Sequence, residues 1–258
     1  MNALVTVCTE SYAPLASLWL ERMKQLTQLP IFVVCVGDWT YDFVDATVIL
    51  ADAPTNPFPA ATPDHACAEK LRVFRHLPKE IDQVLFVDTD IMVINSFWND
   101  DLFASSQTQL MIVPDHFVGY KEKIEDEFRP FDPAFKMKFL PTGEYFYFNT
   151  GVFFASRQAH ESRFEECLEV WRSYVKTLGR LPSVFDQNVF NYYLISRGVG
   201  VSPLPLQNNC LRQYSHVIKE GRLFLDNLPV NAFHFNGGEG KIKLERWLQL
   251  QRLLGGTT

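Results

Sequence analysis

The 258-residue chain is 47% hydrophobic and 21% charged, a balance that supports a folded core and excludes an intrinsically disordered chain. Its 24 Lys and Arg against 30 Asp and Glu leave a net charge of -6, without the basic excess of a nonspecific nucleic-acid binder. No apolar run approaches the roughly 18–20 residues of a membrane helix, and the N-terminus has no basic stretch of the kind that opens a secretory signal. The cysteines, at 8, 35, 67, 167 and 210, are odd in number and contain no Cys-x-x-Cys pair. They read as reduced thiols of a cytoplasmic protein, not as a disulfide or zinc framework.

The first element is an apolar strand over Ala3–Cys8. Ser11 is a candidate cap for a helix from about Ala13 to Gln28, whose Leu15, Leu18, Trp19, Met23 and Leu26 follow helical spacing. Pro30 stops it, and Ile31–Val36 is apolar throughout, as in a strand buried on both faces. Strand, helix and strand in this order predict a βαβ start and a mostly parallel sheet. Prolines at 54, 57, 59 and 63 mark residues 51–65 as loop, and Ala66–His76 reads as one helix carrying Lys70. Val84–Val87 is the next buried strand, followed by Asp88-Thr89-Asp90, extended residues Ile91–Ile94 and a short strand at Leu110–Val113.

Residues 119–144 hold charges, three prolines and many rings without a clean period, and read as a loop or partly helical insertion. Phe117, Tyr120, Phe128, Phe131, Phe135 and Phe139 could stack on a sugar or form a satellite cluster over the sheet. Tyr145–Ala155 returns to strand, 157–178 and Phe185–Arg197 read as helices, Val230–Phe235 as a last strand, and Lys243–Leu254 as a closing helix. No repeat and no linker composition appear, so residues 1–258 read as a single α/β domain with a mostly parallel central sheet flanked by helices.

The most informative stretch is Val84-Leu-Phe-Val-Asp88-Thr89-Asp90. In an extended chain, positions i and i+2 face one side, so both carboxylates can converge on one point. At about 5 Å they repel by roughly 3 kcal/mol at an effective dielectric near 20, and a divalent cation turns that repulsion into attraction. The C-terminal end of such a strand is where open α/β sheets bind ligands, and oxygen donors suit Mg²⁺ or Mn²⁺. A solvated Asp-rich turn, a diphosphate-holding metal site and a phosphatase nucleophile all use such a pair. Its position behind a complete βαβ unit favours the diphosphate site.

Further signals follow in order. Phe148-Asn149-Thr150-Gly151-Val152 puts an amide and a glycine in an apolar strand, as at a β-bulge or a close ligand approach. Phe185-Asp186-Gln187-Asn188-Val-Phe-Asn191 sets polar groups on a helix, as an exposed face or a site wall. His234 precedes Gly237, Gly238, Gly240 and Lys241, a turn whose backbone N–H groups could face phosphate.

In this order the motifs resemble glycosyltransferase family 8, a family of the GT-A fold that includes glycogenin-like and bacterial lipopolysaccharide sugar transferases. The likeness runs from the first strand to about Lys241 through Thr9-Glu10-Ser11-Tyr12, Lys70-Leu71, Asp88-Thr89-Asp90, Tyr147-Phe-Asn149-Thr-Gly151, Asp186-Gln187 with Asn191, and His234 with Gly237 and Lys241. The resemblance implies a metal-dependent transfer of a hexose-type sugar, with retention, from a nucleotide diphosphate sugar, a UDP-sugar above all. The acceptor is a hydroxyl of a glycan, lipid-linked molecule or protein. It implies Asp88, Asp90 and His234 as ligands of Mn²⁺ or Mg²⁺, with Thr89 between them. Tyr12 would lie on the base beside Thr9 and Glu10, and Lys70 would reach the donor. Gly237, Gly238 and Lys241 would face the diphosphate, and Asn149, Asp186 and Gln187 would line the sugar. Three departures stand out: the turn before Lys241 is one residue longer than usual, Ile242-Lys243 replaces Pro-Trp, and Asn188 replaces an aspartate. A catalytically silent nucleotide-sugar binding module and a metal-dependent phosphatase using Asp88 stand as the alternatives.

Overall fold

Ala3–Cys8 and Ile31–Val36 are apolar at nearly every position, and both become strands covered on two sides. The computed structural model describes residues 1–39, 41–51, 65–116 and 123–255. Its strands are β1 (Asn2–Cys8), β2 (Ile31–Val36), β3 (Thr47–Ala51), β4 (Gln83–Val87), β5 (Ile91–Val93), β6 (Leu110–Pro114), β7 (Phe148–Ser156), β8 (Val201–Pro203), β9 (Cys210–Leu211), β10 (His216–Lys219), β11 (Arg222–Leu225), β12 (Leu228–Pro229) and β13 (Ala232–His234). Seven form the main sheet in the order β3-β2-β1-β4-β7-β6-β8. Only β7 runs against the others, between β4 and β6. A small sheet, β5-β13-β9, sits beyond the end of β4, and β10-β11-β12 form a meander.

The period of two along each strand divides the core into two layers. Val5, Phe32, Val34, Val84 and Phe86 face one layer, which Phe74, Phe164, Trp171 and Phe190 fill from helices. Leu4, Val33, Cys35, Leu85 and Val87 face the other, filled by Trp19, Met23, Phe103 and Trp247. No helix among the described residues is long and apolar enough to cross a membrane. None of the five cysteines forms a disulfide.

Most expected elements are present with shifted ends, and some shifts matter for the site. Ser11 does not cap the first helix. Residues Glu10–Tyr12 form a 3-10 turn, the helix Ala13–Leu26 follows with no side-chain cap, and the Ser11 hydroxyl meets Thr9 Oγ1 at 3.3 Å. The helix expected over 66–76 is two, His65–Lys70 and Val73–His76. The break coincides with the buried Glu69, which pairs with Arg72 and His76 across it. The closing helix starts at Gly240, not Lys243. Of the loop expected over 51–65, Ala51 ends β3 and His65 begins a helix, while 52–64 lie outside the described residues. Strand β3 and the whole β8–β12 region carry no clear periodic signal and were not expected.

The long helix Arg157–Leu178 begins on a capping Ser156, whose hydroxyl accepts from the Ala159 N–H. His160 lies in this first turn at 1% exposure, and its Nδ1 is 3.0 Å from the Ser156 backbone N. Burial pulls its pKa down to about 4, with Arg163 adding to the pull and the Ser156 backbone opposing it. A histidine that folds neutral gives its full stability above the unfolded value near 6.5 and loses it as pH falls toward the folded value. That gap corresponds to about 3 kcal/mol. Urea unfolding of the native chain and of His160→Asn should therefore diverge between about pH 7 and 4, the native chain losing more. Parallel pH profiles for the two proteins would refute this.

Candidate active-site cleft

At the C-terminal ends of β1 and β4 the sheet opens into a cleft of about 860 Å³, where ligands bind in open parallel sheets. Its walls come from the turn after β1 (Thr9, Ser11, Tyr12), Lys70, the link after β4 (Asp88–Asp90), β7 (Asn149, Thr150), the start of the helix Phe185–Arg197 and the glycine turn 236–241.

The two carboxylates converge through a turn, not through an extended strand. The Ile91 N–H donates to the Asp88 carbonyl at 3.1 Å, closing a turn between β4 and β5. The Phe235 N–H donates to the Asp90 carbonyl at 3.0 Å, which ties the end of β13 to this turn and brings His234 beside it. One ligand atom from each of Asp88, Asp90 and His234 lies within 4.8 Å of the others. His234 Nε2 is 3.4 Å from Asp90 Oδ1. Two hard carboxylate oxygens and one imidazole nitrogen at the floor of an open cleft are a donor set that fits Mn²⁺ or Mg²⁺.

Two ammonium groups, that of the partly buried Lys70 and that of the buried Lys243, balance the carboxylates. Lys70 Nζ is 2.8 Å from Asp88 Oδ2 and 3.4 Å from Asp186 Oδ2, and Lys243 Nζ is 2.6 Å from Asp90 Oδ2. Burial and the adjacent Asp90 charge raise the Asp88 pKa against the pull of Lys70. Burial also acts to raise Asp90, but His234 and Lys243 together hold it well below the usual carboxylate range. Burial works against the charge on Lys70, yet Asp186 and Asp88 keep its pKa well above that of an ordinary lysine.

The opposite wall is built by an irregularity in β7. Pairing with β6 runs Met111↔Phe154 and Ile112↔Phe153, then jumps to Val113↔Asn149. This bulge turns Asn149 and Thr150 toward the cleft. The bulge, one of two readings of this stretch in the sequence, is present and sets the amide in the cleft wall. Thr150 Oγ1 donates to Asp186 Oδ2 at 2.6 Å, and Asn149 Nδ2 donates to Gln187 Oε1 at 2.9 Å. Phe185 takes a φ of +30°, a sparsely populated conformation at the start of the helix that presents Asp186 and Gln187. That helix is buried from Asp186 through Ile195, so its amides are not a solvated face.

Of the residues singled out in the sequence, Thr9, Tyr12, Lys70, Asp88, Thr89, Asp90, Asn149, Asp186, Gln187, His234, Gly237, Gly238 and Lys241 all line this one cleft. Glu10 does not: it is exposed on the 3-10 turn. Lys241 is exposed on the first turn of the closing helix. It is Lys243, two residues on, that reaches the acidic cluster, with its ammonium also 5.1 Å from the centre of the Tyr12 ring. Burial opposes the Lys243 charge, but Asp90 and Tyr12 raise its pKa. The one-residue-longer turn, with Gly237 and Gly238 at φ of +75° and +92°, thus delivers a different lysine.

Asn188, which replaces the family's aspartate, does not line the cleft. At 1% exposure it points away from the cleft, accepting from the Tyr147 hydroxyl at 2.6 Å and donating to Glu127 Oε2. Glu127 comes from the short helix Ile124–Phe128 and also accepts from the Ser183 N–H at 2.6 Å. With that carboxylate present, an aspartate at 188 would set two buried negative charges in contact, and an amide satisfies both partners. Of the two readings of the insertion's rings, the packing agrees with the cluster. Phe128 stacks on Tyr192 at 4.4 Å, and Phe131 and Phe135 join the same cluster. Phe139 is exposed against Tyr145, and Phe117 and Tyr120 lie outside the described residues. The sequence did not single out Lys243, Asp115 or Asn209. Asp115 accepts from Gln187 Nε2 at 2.9 Å, and Asn209 sits 3.1 Å from His234 Nδ1.

No protein family matches the sequence, and no curated protein matches it either. Solved structures do. The galactosyltransferase LgtC, in complex with donor and acceptor sugar analogues, superposes with a TM-score of 0.62 at 17% identity, over 100% of this chain and 97% of that one. Mouse xyloside xylosyltransferase 1 in its apo form gives 0.57 at 16% identity, over 92% and 98% of the two chains. The bifunctional glycosyltransferase WbbM gives 0.58 at 15%, over 92% of this chain and 46% of that one. The chain has the fold of these sugar transferases, the GT-A fold, as the resemblance implied.

Proposed function

We propose that this chain is a metal-dependent glycosyltransferase that moves a hexose-type sugar from a nucleotide diphosphate sugar, UDP-sugar above all, to an acceptor hydroxyl of a glycan, lipid-linked or protein substrate. The observation that carries the reading is the Asp88, Asp90 and His234 cluster facing Asn149, Asp186 and Gln187 across one cleft on a sugar-transferase fold. The cysteine pattern supports a cytoplasmic setting.

Asp88, Asp90 and His234 would hold the cation, which when bound supplies positive charge to the diphosphate leaving group. The chain's own groups supply the rest. Tyr12 offers a ring face at the mouth of the cleft for the base. Lys243 and Lys241 lie on the diphosphate side, where they stabilise the negative charge that grows as the sugar–phosphate bond breaks. Asp186, held by Thr150 and Lys70, and the Gln187 and Asn149 amides face the developing positive charge on the sugar. Retention of the anomeric configuration belongs to the same reading.

Thermal unfolding with about 1 mM uridine diphosphate tests the donor site. At a Kd near 10 μM, binding adds roughly 2.7 kcal/mol, a Tm rise of about 5–10 °C for a domain of this size. The rise should need Mn²⁺ and vanish with chelator. No shift with uridine, guanosine or thymidine diphosphate in the presence of metal would overturn the donor assignment.

A further inference from the structure

Five buried side chains form a continuous line from the acidic cluster to the opposite wall of the cleft. Asn209 Oδ1 is 3.1 Å from His234 Nδ1, and Asn209 Nδ2 donates to Asn149 Oδ1 at 2.7 Å. Asn149 Nδ2 donates to Gln187 Oε1 at 2.9 Å, and Gln187 Nε2 donates to Asp115 Oδ2 at 2.9 Å.

Two groups that cannot reverse fix the direction of every link. The Gly151 backbone N–H can only donate, and it donates at 2.8 Å to the same Asn149 Oδ1. That end of Asn149 is therefore its carbonyl, so Asn209 must present its NH₂ there and turn its own carbonyl to His234. At the far end the Asp115 carboxylate accepts, which requires the Gln187 NH₂ toward it and the Gln187 carbonyl toward Asn149. Both anchors demand the same orientation of all three amides. A carbonyl facing Nδ1 requires the imidazole proton to sit on Nδ1. In the neutral ring Nε2 then carries a lone pair, and it faces Asp90 Oδ1 at 3.4 Å. Two acceptors that close attract only with a cation or proton between them.

We propose that Asn209 is a positioning residue: it holds His234 in the Nδ1–H tautomer with Nε2 bare for a divalent cation, and through Asn149 it ties that ligand to Gln187. Asn209 is 1% exposed and does not line the cleft, so it acts only through its neighbours. The head-to-tail amides polarise one another, and partners of this kind typically change metal affinity by 10–100-fold. The proposal rests on the metal reading of Asp88, Asp90 and His234.

Two measurements on the full chain separate the two ideas. In the metal-free protein, at a pH where the ring ¹⁵N shifts show a neutral imidazole, those shifts should report the Nδ1–H tautomer of His234. In Asn209→Leu they should report a mixture. The affinity for Mn²⁺ alone, read from the electron paramagnetic resonance of the free ion, should fall about 10–100-fold in Asn209→Leu. Asn208→Leu is the matched structural control. Asn208 is buried beside Asn209, and its Oδ1 accepts from Asn231 Nδ2 at 2.8 Å, outside the line. It should lose stability yet keep the Mn²⁺ affinity of the native chain. An Nε2–H tautomer in the native protein overturns the proposal even if Asn209→Leu fails to fold, as does unchanged Mn²⁺ affinity in a folded Asn209→Leu. If the native chain binds no Mn²⁺, the metal reading fails, and the tautomer still decides whether Asn209 orients the ring.

Discussion

Asp88→Asn and Asp90→Asn should each reduce metal-dependent sugar transfer by at least about 100-fold, but the second should weaken the fold far more. The difference lies in the lysines. Lys70 has two carboxylate partners, Asp88 and Asp186. Removing the Asp88 charge leaves it paired, at a cost near that of one hydrogen bond, about 1 kcal/mol. Lys243 pairs with one carboxylate among the described residues, Asp90, and its side chain is 10% exposed. Asp90→Asn strands a buried ammonium, a change that typically costs 3–5 kcal/mol, or roughly 6–20 °C in Tm for a domain of this size. The double change Asp90→Asn with Lys243→Met removes the stranded charge and should recover much of the Tm while transfer stays lost. Near-normal turnover by both single variants would sink the site assignment. Equal Tm losses would show that Lys243 is not held as described.

That asymmetry was not legible in the sequence, where Asp88 and Asp90 look equivalent and Lys243 reads as the start of a helix. What was legible is what composition and period control. Ile31–Val36 and Val84–Val87 are apolar runs too short for helices, so they had to be buried strands, and the Asp-x-Asp pair at the end of the second had to fall at the ligand-binding edge of the sheet. The helix Phe185–Arg197 was legible because it ends on Gly198, which takes the left-handed cap at φ +63°. Three things were out of reach. The turn at Asp88–Ile91 depends on a hydrogen bond and on docking of β13, neither of which leaves a local pattern. Lys243 was missed because the closing helix begins one turn early, on a glycine that also touches the β1 turn: a Cβ on Gly240 would stand 2.7 Å from the Ser11 carbonyl oxygen. The β8–β12 region, which supplies Asn209, is made of strands of two to four residues, too short for alternation to show. The sequence left the ring-rich insertion between a sugar-stacking loop and a satellite cluster for a related reason. Its phenylalanines complete the core over Tyr174 and Tyr192, a partnership set by long-range packing.

Gly151→Ala tests how tightly the two halves of the site are locked together. Gly151 lies in β7 at an ordinary negative φ, so any cost of the change is spatial rather than conformational. Three atoms crowd the position a Cβ would take: Asn149 Oδ1 at 2.9 Å, His234 Cε1 at 3.0 Å and Ile91 Cδ1 at 3.0 Å. These belong to the β7 wall of the cleft, the metal-type cluster and the strand that follows Asp90. Ile91 can yield by a rotamer change. Asn149 and His234 cannot move freely, because Asn149 Oδ1 is held by the Gly151 N–H and Asn209, and His234 by Asn209. One added methyl should therefore cost about 1–3 kcal/mol of stability and push His234 off the Asp88–Asp90 pair. The expected result is a Tm lower by about 2–12 °C, with Mn²⁺ affinity down at least about tenfold. Uridine diphosphate should no longer raise the Tm in the presence of Mn²⁺. A glycine conserving only backbone freedom would give neither effect at this φ. Native-like metal affinity in Gly151→Ala would show that the cluster has room the distances deny.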